Sequence, residues 1–409
     1  MTESTIQPAD RQRVEEFILE LARTLHRYGT PAHQLEAALS TISARLGVEA
    51  HFFSVPTSIT SGFGPLPEQR VRIMRVDPGE IAVEKLVLVD EVAERVASGA
   101  MPPGEGTARL REIEAKPDRF SPMIQVGAGA ILTASAARMF GGGWREIVAA
   151  GAAGLATGLL ALVASRHRNA KRLIEAIAGF TCALVAVLMP VALDPFNGFT
   201  VLLSGLIVFF PGLTLTMAMT ELATRNFVSG TARLTGAFMV LLSLGFGSAV
   251  GLRAQQWLAL SDFNTAPIPL PWWTELLAVG VAPFAFMIAF RARPRDFFPF
   301  FIAGWIAYYG SRQGVRLLGP EVGVWVAALL VGLFANGYAR VTNRPSAVAM
   351  LPGIILLVPG SVGFRSFDAL LKHDVLAGIN SAFGMILVAV SLVAGLLIAN
   401  VALPPRKVL

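Results

Sequence analysis

The chain has 409 residues, 54% of them hydrophobic and 15% charged, with a mean hydropathy of +0.59. Ordinary water-soluble domains carry about 25% charged residues, so the composition excludes a typical soluble fold and calls for membrane-spanning segments. The net charge of +6 does not imply nucleic acid as a partner, because the arginines sit in short clusters between apolar runs, where membrane topology expects them.

The bias is uneven. The first 120 residues hold 14 basic and 18 acidic side chains, and the remainder holds 20 and 10. A single cysteine, Cys182, excludes an intramolecular disulfide and has no partner ligands for a zinc site, so no metal is expected. The polar N-terminus has no apolar core of a signal peptide, which predicts a first domain that stays in the cytoplasm.

In chain order, Phe17, Ile18, Leu21 and Leu25 fall on one face of an amphipathic helix over 14–25. Tyr28-Gly29-Thr30-Pro31 ends it, with Thr30 suited to N-cap and Pro31 to open a second helix through Leu46. Two or three strands follow over 48–64 and 70–76, with a turn at Asp77-Pro78-Gly79. Helices over 82–98 and 105–115 complete a small α+β domain at 1–120.

After Phe120 the chain reads as ten apolar runs of membrane-spanning length, at 123–140, 145–164, 173–192, 199–219, 230–252, 273–291, 297–311, 321–339, 346–366 and 376–402. The seventh reads as short. Thirteen basic residues, among them Arg168, Arg225, Arg233, Arg406 and Lys407, then lie in inward connections and seven, including Arg312, Arg316 and Arg365, in outward ones. That asymmetry places both termini in the cytoplasm. Trp144, Trp257, Trp272 and Trp273 fall at outer helix ends as interfacial anchors.

An internal repeat divides the membrane part. Gly205 is followed by five apolar residues and Pro211-Gly212, and Gly353 by five more and Pro359-Gly360. Leu222 and Leu370, then Gly230 and Gly378, continue the match at equal distances. The segments are the fourth and ninth spans, so five helices at 121–252 and five at 253–409 form an odd repeat that inserts with opposite orientation. Pro-Gly breaks helical hydrogen bonding, and half-helix N-termini offer N–H groups and positive dipole to an anion. A structural kink is the competing reading. The polar groups beside the breaks are Thr214, Thr216 and Glu221, and Ser361, Arg365 and Asp368; the two acids lie either at membrane depth or in interfacial loops. Asn336 and Asn380 either join helices or face a cavity.

The segment His26-Arg27-Tyr28-Gly29-Thr30-Pro31-Ala32-His33-Gln34-Leu35-Glu36, then Pro56-Thr57-Ser58-Ile59, the Arg75-Val76 strand end and the Pro-Gly spans resemble the threonine/serine exporter family. The resemblance implies a multi-pass protein of the bacterial inner membrane, with an N-terminal cytoplasmic domain, ten helices and export of L-threonine or L-serine. It needs no cofactor beyond the proton gradient. The N-termini after Gly212 and Gly360 would hold the carboxylate, Glu221 or Asp368 the ammonium, and Thr214, Thr216 or Ser361 the hydroxyl; Asn380 is a further candidate. One acid would carry the proton. Split relatives are associated with dicarboxylate export, for which Arg365 would supply charge. The lipid bilayer is a partner, and a homo-oligomer fits the reading as well as a monomer.

The family's first domain is likened to hydrolases, which makes a membrane-tethered hydrolase with His26, His33, Glu36 and Thr57 a third reading. Spacing supplies no nucleophile within reach of a base, and there is no Gly-x-Ser-x-Gly elbow or His-Glu-x-x-His helix. A structural or gating role for that motif, with no catalytic residues, is the expectation.

Overall fold

A computed structural model describes residues 8–77, 79–167, 169–258 and 265–404. Pro78, Arg168, Arg406 and Lys407 lie outside the described residues. The N-terminal part comprises α1 (Pro8–Arg27), α2 (Ala32–Arg45), strands β1 (Ala50–Val55), β2 (Ser58–Phe63) and β3 (Arg70–Arg75), α3 (Val83–Ala97) and α4 (Pro103–Ala115). The strands form an antiparallel meander in sequence order, with Ala50 opposite Phe63 and Ser58 opposite Arg75. Phe17, Ile18, Leu21 and Leu25 are fully buried and pack with Leu35, Leu39, Ile59 and Leu110 in one core. Pro31, not Thr30, is the N-cap of α2: its extended ψ of 150° delays the first helical residue to Ala32. The N–H of Ala32 is therefore open to a partner from elsewhere.

The rest is helical: α5 (Pro122–Met139), α6 (Trp144–Ala164), α7 (Ile174–Leu188), α8 (Pro190–Leu193), α9 (Gly198–Gly205), α10 (Gly212–Ala223), α11 (Phe227–Leu252) and α12 (Ala254–Trp257). Then come α13 (Trp273–Ala289), α14 (Phe297–Leu318), α15 (Gly323–Thr342), α16 (Ala347–Leu357), α17 (Gly360–Leu371) and α18 (Val375–Ala402). Among the described residues six helices are long and apolar enough to cross a membrane, and α13 is a shorter apolar helix. The protein is a polytopic helical membrane protein. Trp144, Trp257, Trp272 and Trp273 are all exposed at helix ends.

Two details of the membrane part differ from the sequence reading, and the half-helices that it expected are present. The seventh segment is not short, because α14 runs 22 residues to Leu318 and takes in Arg312 and Arg316. Arg312 pairs with Glu275 of α13 and so extends the helix instead of opening a loop. Arg233 lies inside α11 and not in a connection. The fourth and ninth segments are each two helices. α9 has 8 residues and α10 has 12, which at 1.5 Å per residue are too short to span alone.

Helices α5–α11 and α13–α18 repeat their contacts. α7 packs on α11 as α15 packs on α18, and α10 on α11 as α17 on α18. At the level of single atoms, a Cβ on Gly230 would meet Leu222 and the carbonyl of Ala218, and one on Gly378 would meet Leu370 and the carbonyl of Ser366. Two glycines picked out by spacing alone thus perform the same task, letting a long helix approach a half-helix closely. Asn336 donates to Asn400 at 2.8 Å, joining α15 to α18.

Candidate functional site

The two Pro-Gly breaks meet. The first unwinds over 206–211 and the second over 358–359, after which α10 begins at Gly212 and α17 at Gly360. A Cβ on Gly212 would collide with the Val358 side chain. One on Gly360 would lie 2.9 Å from Phe210 Cβ and 3.6 Å from Gly212 Cα. Each glycine is therefore the surface on which the opposite break rests. Each second half-helix also reaches across, α10 packing on α18 and α17 on α11. The breaks differ in length, six residues against two, although the sequence motif is the same.

Backbone freed in this way is tolerated at membrane depth only where protein or a wet cavity surrounds it. Protein surrounds this crossing, and a cavity lies on the far side of Phe364. Phe210 and Phe364 pack as a tilted pair with ring centroids 5.4 Å apart, and Phe364 also lines a cavity of about 200 Å³ between α11 and α17. The polar lining of the cavity is Ser248, Arg253, Gln256, Asp368 and Lys372. Asp368 accepts from Lys372 Nζ at 2.7 Å, and Arg253 donates to Gln256 Oε1 at 2.9 Å. Arg365 and Lys372 both lie over the Phe199 ring, at 5.6 and 5.3 Å. The arrangement offers one carboxylate and several cations within a partly apolar wall, a set suited to a small charged or zwitterionic solute.

The sequence candidates divide on this geometry. Pro211, Gly212, Pro359 and Gly360 form the crossing, and Asp368 lines the cavity beside it. Thr214 and Ser361, half-buried just inside the two half-helices, make no hydrogen bond among the described residues, which leaves their hydroxyls available. Thr216 is buried and donates to the Gly212 carbonyl at 3.2 Å, so its hydroxyl is engaged by the helix itself. Asn380 is exposed on α18.

Glu221 is placed elsewhere. It is fully buried at the far end of α10 from the crossing. Its carboxylate accepts from Ser229 Oγ at 2.8 Å, from Arg233 Nε at 3.0 and 3.1 Å, and from the Ala32 backbone N–H at 2.9 Å. The last bond joins the membrane part to the first turn of α2, where unpaired N–H groups and the helix dipole favour an anion. With its donors already supplied by the protein, this carboxylate is not oriented toward a substrate in the crossing.

The motif residues His26, Gly29, Thr30, Pro31, His33 and Glu36 build that junction. Gly29 takes φ +84°, which turns the chain so that α2 starts against α10. His26 Nε2 lies 3.2 Å from the Val55 carbonyl, which can only accept, so this nitrogen carries the proton while buried Nδ1 has no partner. Glu36 accepts from the Ser54 N–H at 2.7 Å and so ties α2 to β1. Pro56 and Thr57 form the turn between β1 and β2, and the Thr57 carbonyl accepts from the Val76 N–H at 3.2 Å. Burial lowers His26 and His33 from their ordinary values and raises Glu36, with the Glu221 charge adding to the rise. Sequence reasoning missed Ser229 and Arg233 as members of this group. The signal for Arg233 was its spacing of twelve residues from an acid in a helical hairpin, which the positive-inside assignment absorbed.

A second attachment joins α3 to the α13–α14 connection. The N–H groups of Val83 and Glu84 donate to the carbonyls of Phe290 and Arg291, at 2.9 and 3.3 Å. Arg291 pairs with Glu80 and reaches Asp118 at 3.0 Å, and Glu84, held within the N-terminal part by two bonds of 2.8 Å from Arg119, lies 3.7 Å from Arg293. Val83 and Val87 pack with Ala282, Ala285, Ile288 and Phe300, and in the same cluster with Ala128 and Leu132 of α5.

The profile of a family described as "Putative threonine/serine exporter" matches residues 16–255 and 256–402. Among curated proteins, the chain is similar to the "Pheromone-regulated membrane protein 10" of Debaryomyces hansenii, 25% identical over 397 residues that cover 92% of this chain and 38% of that protein. The proteins of the same name in Saccharomyces cerevisiae and Candida albicans are 25% and 24% identical, again over 92% of this chain, and 49% and 35% of theirs. The chain spans less than half the length of these relatives. No solved structure matches it.

Proposed function

The chain belongs to the threonine/serine exporter family, and from that premise we propose that it is a secondary exporter of L-threonine and L-serine coupled to the proton gradient. The substrate crosses where the two Pro-Gly breaks meet, and the helices α5–α11 and α13–α18 act as two inverted five-helix repeats that rock about that point. Its place is a bacterial inner membrane, with the N-terminal α+β unit and both termini in the cytoplasm.

The observation that carries this reading is the crossing, in which Gly212 rests on Val358 and Gly360 on Phe210. Irregular backbone at the interface of two repeats is how alternating-access carriers build a central site. The N-termini of α10 and α17 supply N–H groups and positive dipole for the substrate carboxylate. Thr214 and Ser361 present hydroxyls for the substrate side chain. In the adjoining cavity, Asp368 takes the ammonium by exchanging Lys372 for it, so Asp368 and not Glu221 is the acid assigned to the substrate.

A second reading, a dicarboxylate exporter, is favoured by the charge around the cavity, where Arg253, Arg365 and Lys372 outnumber Asp368. Counterflow of labelled serine, threonine and succinate into proteoliposomes, with and without a pH gradient, separates the two. Exchange of the hydroxy amino acids alone supports the first reading, exchange of succinate alone supports the second, and exchange of none refutes both. A membrane-tethered hydrolase is the third reading, in which His26 Nε2 and one oxygen of Glu36 are engaged by the backbone of β1.

A further inference from the structure

The N-terminal unit touches both halves of the membrane part, and its two attachments are unequal. On α13–α14 it holds by two backbone hydrogen bonds and by the ion pairs of Arg291 with Glu80 and Asp118 and of Arg293 with Glu84, over an apolar contact that includes buried Val83 and Val87. On the first half, among the described residues, its one hydrogen bond is from the Ala32 N–H to Glu221, beside a contact between β1 and α11 and the packing of the Val83 and Val87 cluster on Ala128 and Leu132 of α5. Ala32 and Glu221 are themselves almost inaccessible to solvent.

α10 links this weaker attachment to the crossing. Its first residue, Gly212, is wedged on Val358, and its tenth, Glu221, is bonded to α2 and to Arg233 of α11. An α-helix of 12 residues is about 18 Å long and moves as a rod, so displacement at one end is displacement at the other. Any rocking that shifts α10 against the second half must therefore carry the N-terminal unit with it or break the bond at Ala32.

We propose that the N-terminal unit is a brace across the two halves, fixed to α13–α14 and releasable at α10, with Glu221 as the positioning residue of the release point. This rests on the carrier reading above but makes a separate claim, that the N-terminal unit sets how readily the crossing opens. The groups facing Glu221 are Arg233 and Ser229 from α11, His26 from the end of α1, and His33, Glu36 and the Ala32 N–H from α2. All but Ser229 and the amide are titratable or charged, so the release point responds to its local charge state.

The test uses the full chain with a single added cysteine, Thr214→Cys, beside the break; native Cys182 is buried and does not compete. Its rate of reaction with a water-soluble maleimide is compared with and without Ala32→Pro. Proline is well accepted at the first position of a helix and lacks the N–H that Glu221 accepts, so α2 is preserved while the bond is removed. Glu221→Gln is the second variant, because an amide nitrogen placed among three donors leaves one bond unmade while keeping the shape. The expected result is a change in labelling rate of about ten-fold, the equivalent of one charge-assisted hydrogen bond, and, in Ala32→Pro and Glu221→Gln chains that keep Thr214, a counterflow kcat altered with KM retained. Unchanged labelling in both variants, with folding intact by thermal unfolding, overturns the brace. If the unaltered protein exchanges none of the labelled solutes, the export reading falls, and the labelling still decides the brace.

Discussion

Gly212→Ala is the most direct probe of the crossing. The added methyl would overlap the Val358 side chain and lie 3.0 Å from Val358 Cβ, a contact that ordinary packing does not allow. Val358 follows a helix end and precedes Pro359, so its backbone has little room to yield. Overpacking of this kind costs about 1–3 kcal/mol. Val358→Ala alone removes two half-buried methyl groups, roughly 1–2 kcal/mol at about 0.8 kcal/mol per carbon. In the double variant the two defects offset each other, so its loss is smaller than the sum by about 1–2 kcal/mol, within the range found for residues in contact. Gly360→Ala is the graded comparison: its nearest neighbour, Phe210 Cβ at 2.9 Å, sits on the unwound segment and yields more easily. The assay is unfolding in mixed micelles by tryptophan fluorescence, with serine counterflow in parallel. Additive losses in the Gly212/Val358 pair would refute the contact, and with it the claim that the breaks support one another.

Arg233→Ala leaves the Glu221 carboxylate buried without its charged partner and lowers stability by about 3–5 kcal/mol, more than Ser229→Ala, in the same unfolding assay; equal effects contradict the buried ion pair. Docking of α2 on α10 weakens on acidification, because burial holds His26 and His33 below 6.5 and the undocked chain takes up their protons first. That contribution is complete above pH 6.5 and declines as the pH falls toward the lowered values. Glu36, raised above 4.5 mainly by burial, acts with the opposite sign and favours the docked state as the pH falls through its own window. Hydrogen exchange in a peptide containing Ala32, corrected for intrinsic rate, reads the balance, and greater protection at pH 5.5 than at 7.5 contradicts the histidine assignment. Asp368→Asn removes the charge assigned to the substrate ammonium and raises the serine KM about ten-fold or more, the effect of losing a charged hydrogen bond; an unchanged KM removes Asp368 from the site.

Much of the membrane part was legible because its physics is local to the sequence. A run of about 20 apolar residues is a helix in lipid whatever its neighbours, since the bilayer leaves backbone groups no other partner. The likeness of the two Pro-Gly segments was legible for a related reason. Gly, Pro and Gly at fixed distances mark backbone geometry, and the paired contacts of Gly230 with Leu222 and Gly378 with Leu370 bear that correspondence out. The length of α14 was misread because Arg312 and Arg316 look like loop residues until Glu275 and the neighbouring helix are in place.

Glu221 shows where sequence reasoning ends. By itself the chain determined that this acid lies ten residues after Pro211 and that His26 to Glu36 is a distinct motif, because spacing and residue type are properties of the chain. Only the tertiary structure decided that the two belong together, joining residues 189 positions apart in one buried carboxylate site. A hydrogen bond requires its partners within about 3 Å, and no local pattern encodes which distant helix terminus will be brought that close. The same holds for the crossing: each break is written in its own segment, but their contact depends on how two sets of helices pack.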